Sequence, residues 1–375
     1  MKRRVMFCFG TRPEAIKLAP VIRELARHPS KFQPVVLVTA QHRKMLDQVL
    51  RVFDIKPDYD LDVMRPGQSL ADVTVGVLRG VERVLRRARP DMVMVQGDTT
   101  SALAAALAAF YERVPVGHVE AGLRTGDKYS PYPEEMNRRL VSSLADLHFA
   151  PTRAAKENLL REGVSKDRIQ VTGNTVVDAL KAIRRSKAKW CVPMLDKIAP
   201  EQRVILVTAH RRESFGTGFE RICRALRMLV ERYPDVVVVY PVHLNPNVRK
   251  PVRAILGRTS RVHLIEPMEY LSFVRLMERA YLILTDSGGI QEEAPALGKP
   301  VLVMRDVTER PEAVDAGTAM LVGTDTEAIV SATERLLCSA AAYRKMARAR
   351  NPFGDGRASI RIAEALRRFV RAEGN

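Results

Sequence analysis

Between His118 and Arg139 the sequence reads HVEAGLRTGDKYSPYPEEMNRR, with four carboxylates and four Lys or Arg residues in one stretch. Glu120 directly follows the apolar VGHV, where a buried strand would deliver it to the strand's carboxyl end. Glu134 opens a helix after SPYP, and Arg138 lies four residues on, along the same face. Upstream, VQGDTTSALAAAL ends a strand at Asp98 before an Ala-rich helix. Carboxylates at strand ends are suited to general acid and base work. Each also has a plain structural alternative: Asp98 as a helix N-cap, Glu134 as an acid that offsets the helix dipole and pairs with Arg138.

Other strand ends carry further polar groups. VTAHRRESFG and YPVHLNPN bring His210 and His243, each suited to acid/base chemistry or to an anion site. LTDSGGIQEEAPALG sets Ser287, Gly288 and Gly289 between a buried strand and a helix, where backbone N–H groups can approach a phosphate or simply make a tight turn. Glu292 and Glu293 follow one turn later. FGTRPEAIKLAP carries Arg12 and Lys17, either phosphate grips or solvated charges, with no GxGxxG dinucleotide fingerprint. HExxH, GxSxG and P-loop patterns are absent, and Cys8, Cys191, Cys223 and Cys338 lie too far apart for a zinc-site spacing. No metal and no cofactor are expected.

The elements that position these groups follow from periodicity. Short β-branched runs alternate with longer helical patterns, the mark of parallel sheets covered on both faces. RVMFCFG, QPVVLVTA, PDMVMVQGD, VPVGHVEAG, DLHFAPT and RIQVTGN read as one set of strands. RVILVTAH, DVVVVYPVH, RVHLIEP, AYLILTDSGG, KPVLVMRD and AMLVGTD read as a second. The fold class is therefore α/β, with two Rossmann-like domains. The first spans residues 1–172 and is joined by a C-terminal helix at 358–375; the second spans 173–357. Because open α/β sheets bind ligands outside the carboxyl ends of their strands, one cleft between facing domains is the expected site.

Composition narrows the class. The chain has 375 residues, 46% hydrophobic and 28% charged, as an ordinary globular protein does. No apolar run approaches the roughly 18 residues of a membrane span. MKRRVMFCFG is too short in its apolar part for a secretory leader and reads as a buried strand, so a cytoplasmic setting and no membrane partner are expected. The net charge of +18 is spread over helices with little aromatic interleaving, which argues for a basic solvated surface over a nucleic-acid partner.

Several of these segments, taken in order, resemble the non-hydrolysing UDP-N-acetylglucosamine 2-epimerases. They are FGTRPEAIKLAPVI, TAQHRKMLDQVL, GDTTSALAAALAAFY, PVGHVEAGLRTGDKYSPYPEEMNRRL, GNTVVDAL, VTAHRRESFG, YPVHLNPNV, LTDSGGIQEEAPALGKPVLVMRDVTERPEA and NPFGDGRASIRI. The resemblance implies a glycosyltransferase-B-like fold and usually a homodimer. Asp98, Glu120, Glu134, Arg138 and His210 fall on the family's catalytic positions, with Arg138 orienting Glu134. Ser287, Gly288 and Gly289 would hold the diphosphate with Arg12, and Lys17 stands as a further grip on the substrate. Glu293 would take the ribose hydroxyls and the backbone near Phe273 the uracil. Gln41, His42 and His243 are candidates for a neighbouring site at which UDP-N-acetylglucosamine activates the enzyme.

The implied reaction interconverts UDP-N-acetylglucosamine and UDP-N-acetylmannosamine, a precursor of cell-surface polysaccharides. UDP is eliminated to a 2-acetamidoglucal and added back with protonation on the opposite face, which needs acid/base groups for both faces but no metal or nicotinamide. A hydrolysing epimerase and a glycosyltransferase of the same fold are the alternatives.

Overall fold

A computed structural model describes residues 2–39, 43–65, 67–185 and 192–369. The apolar run near the N-terminus forms β1 (Arg3–Phe9), whose residues from Val5 to Phe9 are almost fully buried, as a central parallel strand requires. It pairs on one side with β2 (Phe32–Val38) and on the other with β4 (Met92–Gln96). With β3 (Tyr59–Asp60), β5 (Val116–Val119), β6 (Leu147–Ala150) and β7 (Ile169–Val171) it makes a seven-stranded parallel sheet, ordered β3-β2-β1-β4-β5-β6-β7. Six strands are legible in the sequence; β3, only two residues at the sheet edge, is too short to show a periodicity.

The second sheet contains β8 (Arg203–Thr208), β9 (Val236–Pro241), β10 (Val262–Ile265), β11 (Leu282–Thr285), β12 (Val301–Val303) and β13 (Ala319–Leu321). Its order is β10-β9-β8-β11-β12-β13, again all parallel. Both sheets thus reverse direction of winding beside their first strand. That reversal opens a crevice at the carboxyl ends of β1 and β4 in one sheet and of β8 and β11 in the other. The expected α/β class with two Rossmann-like units is present.

The chain forms two compact units, Met1–Arg184 with Phe353–Asn375, and Arg185–Pro352. The first therefore runs past residue 172, where periodicity alone put the join, to include all but the last residue of the helix Thr175–Arg185. Asp178 on that helix explains why. Its carboxylate accepts from Ala358 N (3.1 Å), Ser359 N (2.9 Å) and Ser359 Oγ (2.6 Å), capping the C-terminal helix Ala358–Arg368. Asn174 N also donates to Phe353 O at 2.7 Å. Gly173 and Gly354 meet backbone to backbone here: a Cβ on Gly173 would lie 3.2 Å from the Gly354 Cα, and one on Gly354 3.1 Å from the Gly173 Cα. A side chain on either would crowd the opposing backbone, and both residues hold a positive φ that favours glycine.

The helix Thr100–Tyr111 shows how sequence sets packing. Ala102, Ala104, Ala105, Ala106, Ala108 and Ala109 are all fully buried, on several faces of the helix at once. A helix apolar all round is an interior helix, and small side chains let the helices Leu70–Ala88 and Glu134–Leu144 close on it from either side. Among the described residues, no helix is long and apolar enough to cross a membrane.

Candidate active site

In the first unit, β4 ends in Gly97, whose φ of +70° is the left-handed conformation that glycine adopts at least cost. Asp98 follows, half-buried. The N-cap of the next helix is Thr99, whose side chain accepts from Ala102 N at 3.0 Å, so the Asp98 carboxylate is not spent on capping. It receives Arg138 instead, Nε lying 3.1 Å from Oδ2 and Nη2 touching the same oxygen. Arg138 is buried, and its Nη1 reaches Glu135 Oε2 at 3.3 Å. Asn137 Nδ2 donates to the Asp98 carbonyl at 2.9 Å.

The expected pairing of Arg138 with Glu134 is thus replaced. Glu135 is the fully buried partner, accepting also from Arg139 Nε (3.2 Å) and Thr125 N (3.1 Å). Glu134 is half-buried in the first turn of its helix and has no side-chain hydrogen bond or ion pair among the described residues. Spacing by four puts both Glu134 and Arg138 on one helix face, but the arginine's length lets it turn inward to Asp98. An acid left without a cation remains available for proton transfer.

Glu120 immediately follows β5 with φ +65°, a conformation a non-glycine residue takes at a cost of about 1–3 kcal/mol. Phe149 O accepts from both Glu120 N (3.0 Å) and Ala121 N (3.1 Å), holding this bend. Lys17 Nζ contacts Glu120 Oε2, and Asn174 Nδ2 donates to the same oxygen at 2.9 Å. Lys17, read from sequence as an anion grip, therefore meets a carboxylate of its own chain. Arg12, at the start of the helix Arg12–Ala26, is half-buried and makes no ion pair among the described residues. It is the cation at the carboxyl end of β1 that stays open to an anion.

In the second unit, His210 follows β8 and Asp286 follows β11, adjacent strands whose last residues Thr208 and Thr285 are in register. His210 Nδ1 stands 3.0 Å from Asp286 Oδ1, a close polar contact off the line of an ideal hydrogen bond. Asp286 Oδ2 accepts from His210 N (2.6 Å) and Arg211 N (2.7 Å). Burial opposes the Asp286 charge, but these donors outweigh it and hold its carboxyl below the ordinary aspartate range. Asp286 thereby fixes both the loop and the imidazole, and Nε2 is left to exchange a proton with a ligand.

His243, an activation candidate, stacks on His210 with ring centroids 5.7 Å apart. Burial, then the His210 charge, push its pKa down. The other two such candidates, Gln41 and His42, lie outside the described residues. Phe273 is half-buried, with its N–H bonded to Glu269 O at 2.9 Å inside the helix Tyr270–Arg279.

Ser287, Gly288 and Gly289 open the short helix Gly288–Glu293, with Gly289 exposed. Gly288 is buried and its φ is not in the left-handed range, so backbone strain does not require glycine there. A Cβ there would stand 3.5 Å from Glu309 Oε2 and 4.0 Å from the Arg310 guanidinium carbon, both ordinary contacts. Around it Arg305 meets Glu213 (2.5 Å) and Glu309 (3.1 Å), Arg211 lies 3.7 Å from Glu309, and Arg310 pairs with the buried Glu292. Glu293, next in line, is half-buried.

Sequence reasoning passed over Glu135, Asp286 and this Arg–Glu network. Asp286 had a usable signal, an acid directly after a buried strand, the same one that marks Glu120. Glu135 had none, since two adjacent acids at a helix start look alike.

Comparison with known proteins agrees with the geometry. Residues 23–367 match the family model described as UDP-N-acetylglucosamine 2-epimerase. The UDP-N-acetylglucosamine 2-epimerase of Escherichia coli (strain K12) is 58% identical over 97% of this chain and 98% of its own. That of Bacillus subtilis (strain 168) is 53% identical over 97% and 95%. The Neisseria meningitidis UDP-GlcNAc 2-epimerase, solved bound to UDP-GlcNAc, superposes with a TM-score of 0.88 at 52% identity, over 97% of this chain and 99% of that one. With one fold and more than half the sequence shared over nearly their whole length, the chain belongs to the UDP-N-acetylglucosamine 2-epimerase family.

Proposed function

We propose that this enzyme reversibly epimerises UDP-N-acetylglucosamine at sugar carbon 2 by eliminating UDP to a 2-acetamidoglucal and adding it back. What carries this is the pair of differently held carboxylates on adjacent strand ends: Asp98 after β4 against Arg138, and Glu120 after β5 against Lys17. Neighbouring strands lie about 4.8 Å apart, so the two strand ends can offer two acids, each held by its own cation, to one substrate. Inversion needs that, because a proton leaves one face and its replacement arrives on the other.

The carbon 2 proton has no adjacent carbonyl to acidify it. Departure of the diphosphate builds positive charge at the anomeric carbon and makes that proton removable. Asp98, Glu120 and Glu134 carry the proton traffic. Arg12, Ser287, Gly288 and Gly289 hold the diphosphate, Glu293 takes the ribose, and residues about Phe273 take the uracil. His210, oriented by Asp286, protonates or stabilises the leaving diphosphate. The His210–His243 stack supports a link from an activating nucleotide sugar to this group. A homodimer and a cytoplasmic setting belong to the same proposal; Phe110, Tyr111, Met136 and Leu140, exposed on two neighbouring helices, suit the former.

The direct test is proton NMR in heavy water. Epimerisation should proceed without added metal or nicotinamide, with solvent deuterium at carbon 2 of the product and small amounts of escaped UDP and 2-acetamidoglucal. Carboxylates exchange with solvent between turnovers, so return of the original proton is not expected. Retention of protium at carbon 2 during epimerisation would eliminate the mechanism, and accumulation of free amino sugar would identify a hydrolase.

Gly288→Val supplies a second check. A Cβ would meet Glu309 and Arg310 at ordinary contact distance, and valine's two further methyls add bulk beside the proposed diphosphate cradle of Ser287–Gly289. UDP affinity should fall at least about tenfold, roughly the 1.4 kcal/mol of one good hydrogen bond. Calorimetry finding unchanged affinity in a folded variant would move the phosphate site elsewhere.

A further inference from the structure

Asp98 has a main chain held on both sides by buried side chains that play no part in the reaction above. Glu14, in the first turn of the helix Arg12–Ala26, is 1% exposed. One of its carboxylate oxygens accepts from Gly10 N (3.1 Å) and Thr11 N (2.8 Å), and the other from Thr99 Oγ1 (2.8 Å). His118, in the middle of the sheet on β5, is fully buried and bonds through Nε2 to the Gly97 carbonyl at 2.8 Å. A carbonyl only accepts, so Nε2 carries the proton. Nδ1 is then bare, and it has no hydrogen-bond partner among the described residues. Gly97 and Thr99 are the two neighbours of Asp98.

We propose that Glu14 and His118 are positioning residues for Asp98, fixing the Gly97–Thr99 turn so that the carboxylate keeps one direction while its protonation changes. The inference rests on Asp98 being a proton-transfer group. The Arg138 contact alone does not suffice, because both of its nitrogens reach a single oxygen, Oδ2, about which the carboxylate can pivot. Gly97 N is held to Val119 O at 3.0 Å, and the carbonyl that leads into Asp98 is the side of Gly97 that His118 ties down. Glu14 does the same for Thr99 and joins that turn to the β1 loop that leads into Arg12. Proton transfer demands heavy-atom distances near 2.6–3.2 Å, and a misplacement of about 1 Å costs on the order of 100-fold.

The test measures turnover, KM, UDP affinity and melting temperature for His118→Leu, His118→Gln, Glu14→Leu, Thr99→Ala and Thr99→Ser, with Leu229→Ala in the second unit's core as a destabilised comparator. His118→Leu, Glu14→Leu and Thr99→Ala should lower kcat by about 10- to 100-fold with KM and UDP affinity near wild type. His118→Gln regains an N–H donor and Thr99→Ser keeps the hydroxyl, so both should recover most of kcat. Should the leucine variants fail to fold, the Thr99 pair and His118→Gln decide. Normal kcat in Thr99→Ala overturns the Glu14 arm, and normal kcat in a folded His118→Leu overturns the other. A kcat loss in Leu229→Ala as large as theirs, or no recovery in His118→Gln and Thr99→Ser, reduces both to general stability and overturns the inference. Asp98→Asn runs alongside: if it keeps near-normal turnover, the assignment of Asp98 itself fails, a result distinct from the others.

Discussion

Asp98→Asn, Glu120→Gln and Glu134→Gln should each lower turnover by about 100- to 10,000-fold, the usual contribution of a general acid or base, with UDP affinity close to wild type. Each substitution keeps the shape and removes only the ability to exchange a proton. Their side effects should differ in a way the structure dictates. Asn at position 98 leaves the buried Arg138 with Glu135 as its remaining carboxylate, and Gln at position 120 removes one charged contact of Lys17. Asp98→Asn should therefore lose some stability, since unbalancing a buried charge is costly, and Glu120→Gln should lose less. Glu134 has no such partner among the described residues, so Glu134→Gln should melt like the parent while losing turnover. Three amides that all turn over near normally would remove these carboxylates from the chemistry.

A second large effect is expected in acid, and it comes from the sheet interior. His118 and His148 are paired across β5 and β6. Burial drives the His118 pKa down to about 3; the Gly97 carbonyl and the Glu120 charge pull it upward, and His148 and Arg124 press it lower. Burial also takes His148 down to about 4, with Arg168 and Arg124 adding to the fall against the Ala145 carbonyl. In the unfolded chain both would titrate near 6.5.

Below that pH the unfolded state therefore binds protons that the folded state refuses. Stability is lost as pH falls, and the loss levels off only near the folded pKa values. From pH 7 to pH 5 each histidine should cost about 2 kcal/mol, about 4 kcal/mol together, against a typical total of about 5–15 kcal/mol. Glu14 and Asp178 act in the opposite sense, because burial raises their pKa values and the folded state takes up protons there first. Urea unfolding at the two pH values measures the balance. His118→Gln with His148→Gln should flatten the dependence markedly, and an unchanged slope in that double variant would place the acid sensitivity elsewhere.

Local chemistry along the chain carried much of this. Runs such as VMFCF and VVVVY point to buried strands, because they are short, have no solvent face and end at a turn residue. Their regular alternation with helical patterns leads to two parallel sheets, and the winding rule for such sheets puts the useful side chains just past the strand ends. The positions of Asp98, Glu120, His210 and Ser287 just past strand ends were all legible on that basis. So was the short segment from Ser287 to Gly289, whose small residues suit a close backbone approach.

Tertiary structure decided which of these groups touch one another. The i to i+4 spacing pointed Arg138 at Glu134, yet the arginine reaches Asp98, forty positions away, because the order β1-β4-β5 sets the end of β4 beside the helix that follows β5. Lys17 looked like a free cation until the β5 end brought Glu120 to it. Asp286 became the support of His210 only because β8 and β11 are neighbours in their sheet despite the 76 positions between the two residues. The first unit's extent hung on Asp178 capping a helix 180 positions later. Periodicity records which face of an element is buried, and that is a local property. Strand order and long side-chain reach are not local, so the pairings that tune and aim the acids come into being only when distant segments meet.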